Sequence, residues 1–270
     1  MPRSLLWPDP RVKPPFGAAE IDWGHPLACG LFRAWLLEDA LSNVDLVQGA
    51  AALGLSAGSS PIVYGNSRGL QLSGAGTAAY QVRDVPVTTT QLSIAARVSM
   101  TAVGSYPMIF SANDGTNGFE LRCNSNVGQL AIQINAIGSD AQGTTNITGT
   151  GFRSLAGTWL SAVNVTSYVD GKQDGSSGGG GVSVTSTSVP WAIGSRSGGT
   201  FPFTGTIEYV FLYLLELSAE KVFWLHAEPY AMLRPIVRRR YSIPHKIGPL
   251  IHAGNPQLIT AGGSLGGATL

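Results

Sequence analysis

Two carboxylates flanking a scissile bond would be needed to cut a glycosidic linkage, and alternate residues of one strand would set them on one face. The sequence holds no such pair: the close acids Glu38/Asp39 and Asp170/Asp174 fall at turns or strand ends, and Glu120 and Glu208 stand alone. The latter two read as strand-face acids or ion-pair partners, since general acid/base work of this kind needs two groups. His25, His226, His245 and His252 are scattered, with spacing neither for a metal nor for a nucleophile and its base. Cys29 and Cys123 are far apart without a CxxC or a histidine cluster, which leaves a single disulfide open beside the plainer reading of two buried free thiols. Gly178–Gly181 lacks the spacing and the following helix of a phosphate cradle. No catalytic residue, metal ligand or cofactor is expected, and the chain reads as no enzyme.

Binding chemistry is better represented. Sugars stack on exposed aromatic rings beside polar hydrogen bonders, and Tyr80, Tyr106 and Trp191 are the stacking candidates, whereas Trp35, Trp159 and Trp224 read as core. Arg234, the run Arg238-Arg239-Arg240 and Tyr241 form a basic segment suited to docking on an acidic protein surface. Without interleaved aromatics beyond Tyr241, it does not suit sequence-specific nucleic-acid recognition. The charge split supports docking: residues 1–228 carry 12 basic and 16 acidic side chains (net −4), residues 229–270 five basic and no acidic ones (net +5).

The elements that must carry these residues are strands. In 270 residues, 44% are hydrophobic and 12% charged, with 35 Gly and 16 Pro, a composition for many short strands joined by turns. No stretch reaches the ~18 apolar residues of a membrane span, and the N-terminus shows no apolar signal region. Strands are expected at 31–38, 62–64, 69–72, 78–82, 92–100, 107–111, 118–123, 129–136, 153–159, 166–169, 172–174, 189–194 and 203–215. Leu92, Ile94, Ala96, Val98 and Met100 alternate as a half-buried strand does. Residues 138–151 read as a polar loop or irregular edge, and 176–181 as a surface loop. Ser218 caps a short helix with Glu220 in its first turn, and Pro229 ends it. Five prolines in the first fifteen positions, and Pro235, Pro244, Pro249 and Pro256 near the end, predict extended arms over 1–24 and 231–270 around a folded domain, 25–230.

The ordered set His25-Pro26-Leu27-Ala28-Cys29-Gly30-Leu31, Arg68-Gly69-Leu70-Gln71-Leu72, Leu92–Val98, Leu155-Ala156-Gly157-Thr158-Trp159, Tyr168-Val169-Asp170-Gly171 and Phe203–Val210 with Leu217-Ser218-Ala219-Glu220 resembles the laminin-G-like, concanavalin A-like lectin family. The resemblance implies an all-β fold: an antiparallel β-sandwich of the jelly-roll type with one short C-terminal helix. Ser73 stands where the family commonly has an acid, which disfavours a calcium site. The piece Ala227–Pro235 followed by the arginine run is similar to versions of this domain from tailed bacteriophages. That similarity implies a virion structural protein made in the bacterial cytoplasm, a head decoration protein docked on other virion proteins through its arms and present as a homo-oligomer. The alternative is a carbohydrate-binding tail or adhesion module that contacts host glycans.

Overall fold

Leu92, Ile94, Ala96, Val98 and Met100 lie along a single strand, β8 (Gln91–Ala102), and all five side chains enter one core between two sheets. The computed structural model describes residues 9–15, 18–37, 45–47, 54–55, 59–64, 67–74, 79–81, 87–124, 129–134, 139–178, 183–186 and 190–236. Along the first sheet run β15 (Lys172–Gly178), β14 (Asn164–Val169), β13 (Arg153–Leu160), β8, β18 (Thr204–Tyr213), β5 (Ser67–Ser73) and β4 (Ser59–Tyr64), with β2 (Leu31–Leu36) also paired to β18. The second runs β12 (Ser139–Asn146), β11 (Gln129–Ile134), β10 (Phe119–Cys123), β9 (Met108–Ser111), β17 (Trp191–Ile193), β6 (Ala79–Gln81) and β3 (Gly54–Leu55). Two ribbons, β1 (Ala19–Ile21) with β19 (Leu233–Pro235) and β7 (Thr88–Thr89) with β16 (Val184–Thr185), complete the described strands. The pairing of sequential and distant strands is antiparallel in both sheets, and the expected antiparallel β-sandwich with one α-helix is what the chain forms.

The inter-sheet core is aromatic at its centre, where Trp35, Phe110, Phe119 and Trp191 meet ring to ring at 5.6–6.5 Å. A second core lies on the outer face of the first sheet. There Val222 and Leu225 of α1 (Ala219–Ala227) and Ile21, Met232 and Leu233 of the terminal segments cover Ala95, Ala156, Tyr209, Phe211 and Tyr213. With both faces covered, β18 is buried at nine consecutive positions, which is why its sequence is apolar without alternation from Tyr209 to Tyr213.

One bulge makes this possible. Ile207 pairs with Val98 and Tyr209 with Arg97, leaving Glu208 as the extra residue. Ile207 and Tyr209 would share a face in a regular strand, but here Ile207 enters the inter-sheet core and Tyr209 the outer one. The fully buried Glu208 carboxylate accepts hydrogen bonds from Arg97 Nη1 (2.9 Å) and Tyr230 Oη (2.6 Å). Its backbone carbonyl accepts from Leu37 N (3.0 Å) and Lys13 Nζ (3.2 Å). Burial, and then the adjacent Glu208 charge, push the Tyr230 phenol well above its ordinary pKa, so it stays a donor. Upstream of α1, the Ser93 hydroxyl donates to Leu215 O and accepts from Leu217 N, both at 2.8 Å, fixing the turn from β18 into the helix.

Several expectations shift. Of the two readings of 138–151, the edge holds for residues 139–146, which form β12, an edge strand stapled to β15 by the Asp174 carboxylate, which accepts from the amides and hydroxyls of Thr144 and Thr145. The loop expected from Ser176 is strand as far as Gly178. The inner ends of both expected arms are folded: β1 pairs with β19, Pro10 O accepts from Tyr230 N, and Lys13 is buried. The helix begins as expected, with Ser218 Oγ accepting from Lys221 N. Both cysteines are free, but only Cys123 is buried, with its thiol pushed up to about 12 by burial; Cys29 is exposed. No helix among the described residues is long and apolar enough to cross a membrane.

Glu208→Ala is expected to cost about 3 kcal/mol, the low end for a broken buried pair because Arg97 keeps 29% exposure, and Tyr230→Phe about 1.5–3 kcal/mol. Urea midpoints at a constant denaturant slope measure both. A pH dependence is expected at His25, whose Nδ1 accepts from Leu27 N to cap a short 3-10 turn. Burial lowers its pKa against the opposing pull of Asp22 and Glu228. Between that lowered value and about 6.5 the unfolded chain binds more protons, so stability falls as pH drops through this window. His25→Asn, which keeps a cap acceptor, is expected to flatten that slope in thermal melts recorded across the same range.

Candidate functional site

The outer face of the second sheet carries the polar residues that a core cannot use. Along β10, Phe119, Leu121 and Cys123 point into the inter-sheet core, so the alternate residues Glu120 and Arg122 belong to the opposite face. Register aligns a row across that sheet: Tyr80 pairs with Ala192, Ala192 with Ser111, Ser111 with Glu120, and Glu120 with Gln133. The row is small at its centre and acidic beside it.

The turn between β17 and β18 lies against this row. Gly194 N donates to Ile109 O and Met108 N to Phe201 O, both at 3.0 Å, which ties the segment to β9. Arg196 N donates to Thr200 O and Gly199 N to Arg196 O, a tight reversal in which Gly198 and Gly199 both take positive φ (83° and 78°). Arg196 thereby reaches Glu120 in a two-point ion pair, Nε to Oε1 at 2.7 Å and Nη2 to Oε2 at 3.0 Å. Ser111 Oγ donates to the same Oε1 at 3.1 Å. Glu120 is fully buried, while the Arg196 side chain keeps 18% exposure.

Two half-buried aromatic rings edge the pair. Tyr106 and Phe201 meet nearly perpendicular, with centroids 6.1 Å apart. The Arg196 guanidinium lies 4.8 Å from the Phe201 centroid and that of Arg122 4.7 Å from the Tyr106 centroid. Both aromatic residues hold left-handed backbone, φ 51° for Tyr106 and 54° for Phe201, a conformation that bulky side chains rarely adopt and that clusters at functional sites. Beside Arg196 runs the turn from Asn113 to Gly118. Its Asp114 carboxylate accepts from Thr116 N and Asn117 N, and those two bonds hold its pKa below the usual carboxylate value.

Of the stacking candidates, Tyr106 lies at this rim and Tyr80 occupies a register position in the row. Trp191 does not belong here. It is 2% exposed at the centre of the aromatic core, because the inward positions of β17 are Trp191 and Ile193 and the outward one is Ala192. Trp35 and Trp159 are core as expected; Trp224 is only partly buried, its ring 4.9 Å from that of His25. Arg234 is engaged inside the terminal ribbon by Glu20, directly opposite in register (2.9 Å), and is thus not a bare docking cation. Arg238, Arg239, Arg240 and Tyr241 lie outside the described residues. The isolated acids Glu120 and Glu208 sit in different sheets, and each is held by an arginine, the ion-pair role read from their isolation. Among the described residues no group of three His, Cys, Asp or Glu side chains is placed to hold a metal ion. Arg196 and Phe201 were not among the expected site residues; the Gly198-Gly199 reversal is the local signal that brings them to the sheet.

Comparison with known proteins places the chain in a family. A search of curated proteins finds no match. Among solved structures, the binding domain of Paraclostridial Mosquitocidal Protein 1 superposes with a TM-score of 0.58 at 13% identity, over 74% of this chain and 52% of that one. Domain 4 of AbnA, an extracellular arabinanase of Geobacillus stearothermophilus solved with arabinotriose, gives 0.57 at 14% identity, over 77% of this chain and 99% of that one. Trypanosoma rangeli sialidase gives 0.52 at 15% identity, over 73% of this chain and 32% of that one. The chain thus spans about half the length of the toxin domain and a third of the sialidase, and at these identities the likeness is one of fold. The family profile described as the concanavalin A-like lectin/glucanases superfamily (Laminin_G_3) matches residues 74–223, more than half of the chain, and with the two-sheet sandwich it is carried by, this protein belongs to that superfamily.

Proposed function

We propose that this protein is a non-catalytic glycan-binding module whose site is the outer face of the second sheet, at the rim formed by Tyr106, Phe201 and Arg196. The observation that carries the reading is the pair of aromatic rings held on strained backbone next to a fixed guanidinium. Aromatic surface beside directed donors is what a sugar ring requires, apolar C–H against a π face and hydroxyls against N–H groups. Structures of similar fold support it: the arabinanase domain was solved in complex with arabinotriose, and in a botulinum neurotoxin type C, with a TM-score of 0.57, cell entry depends on interaction with two ganglioside molecules.

A second reading, the head decoration protein of a tailed bacteriophage, is favoured by one further observation. Ala19 pairs with Pro235, so the segments before and after the sandwich leave the ribbon at the same end, and the one that follows carries Arg238-Arg239-Arg240. In this reading several copies dock on virion proteins through those segments while the sandwich displays its sugar-binding face. The two readings are compatible, one describing the face and the other the anchor.

Phe201→Gly separates the site from the fold. Releasing the left-handed backbone strain is expected to leave stability equal or raise it by about 1 kcal/mol, while glycan affinity falls by about tenfold or more. Calorimetric titration of oligosaccharides, beside a thermal melt, reads both; failure of every neutral or acidic glycan to bind at millimolar concentration would overturn the glycan reading. For the anchor, a chain ended after Ile236 retains Met232 and Leu233 in the outer core and is expected to fold normally yet be lost from purified particles. Full occupancy of the shortened chain on particles would rule out docking through that segment.

A further inference from the structure

Resting on the glycan-binding reading, we infer that the Glu120–Arg196 site selects neutral sugars over acidic ones. An arginine at a sugar-binding rim would ordinarily favour a carboxylate or sulfate. Here that preference is cancelled before any ligand arrives. Glu120, fully buried, takes Nε–H and one Nη2–H of Arg196, leaving the two Nη1–H and the second Nη2–H as donors on a pair with no net charge. An incoming anion meets attraction and repulsion from two charges only 2.7–3.0 Å apart. The Asp114 carboxylate, exposed on the neighbouring turn and acting electrostatically on Arg196, adds further repulsion. The charges set at this rim by contact are Arg122, Arg196, Glu120 and Asp114, and the register adds Asp140 opposite Gln133, so acids outnumber arginines.

A hydroxyl group loses nothing by this cancellation. It accepts the directed N–H bonds of Arg196 and donates to carboxylate or amide oxygens, roles that an ionised carboxylate or sulfate cannot both fill. Such an acceptor stands next to the pair: Gln133 lies directly opposite Glu120, and its buried Oε1 has no hydrogen-bond partner. The ion pair therefore works as a rigid, uncharged donor fork. Glu120 is a specificity determinant that acts through Arg196 without having to touch the sugar.

The test is calorimetric titration of the full chain with matched oligosaccharides, each neutral one compared with its counterpart capped by a uronic or sialic acid. Neutral members are expected to bind about tenfold more tightly, with affinity changing less than about twofold when the salt concentration is raised from low to several times physiological. Glu120→Gln preserves size and an acceptor but leaves Arg196 cationic. It is expected to gain about tenfold for the acidic members, with a gain that salt abolishes. Tighter wild-type binding of the acidic members, or wild-type affinity that falls steeply with salt, overturns the inference while leaving the glycan reading intact. Absence of binding by both members overturns the two together. The wild-type comparison and its salt series decide the matter even where Glu120→Gln does not fold.

Discussion

The Glu208 bulge is the constraint on which the sandwich and its coverings depend. A regular β18 would carry Ile207 and Tyr209 on one face, and the two cores could not both be filled from the same strand. The extra residue changes the face midway, and the carboxylate it places there is held by β8 through Arg97 and by the C-terminal segment through Tyr230. Its carbonyl oxygen receives Lys13 and Leu37. Four distant parts of the sequence thus converge on one peptide unit and one side chain. A buried acid is costly to desolvate, so it persists only where each oxygen is satisfied.

The two sheets use the same pairing of glutamate with arginine for different ends. On the first sheet the pair lies beneath the helix and terminal segments and fastens them down. On the second, it lies in a fully buried acid with its arginine at the surface, a fixed group presented to whatever meets the face. The residues beside it store backbone strain at Tyr106 and Phe201, which surrounding backbone hydrogen bonds between the turn and β9, such as Met108 N to Phe201 O, sustain. Rigidity of this kind reduces the entropy that a ligand must overcome on binding.

Much of the architecture was legible because it is written in periodicity and turn chemistry. The alternation from Leu92 to Met100 and the Ser218 cap each have a local cause and each occur as expected. The polar run 139–146 was not recognisable as a strand, since an edge strand held by the Asp174 staple needs few apolar residues; Ala141 is its contribution to the core. The site was legible only in part. Glu120 and Arg196 are 76 residues apart, and no local pattern joins them. Trp191 was misread because a three-residue strand offers no period from which inward and outward positions can be told.

The terminal ribbon has a mechanical consequence. In the antiparallel pairing of Ala19 with Pro235, Glu20 with Arg234 and Ile21 with Leu233, the outward-leading ends of both strands lie at the same extremity. Tension applied to the segment after Pro235, with the sandwich held, would load the rungs one after another, as in a zipper, instead of all at once, as in shear. The exposed Arg234–Glu20 pair adds little resistance, about 0–1 kcal/mol. A pull from that side strong enough to part β19 from β1 would release a few residues of slack before force reached Tyr230 and the Glu208 cluster, whereas a pull from the N-terminal side meets Pro10 and Lys13, bonded to Tyr230 and Glu208, before it reaches β1; the ribbon is a sacrificial link for the C-terminal tether alone.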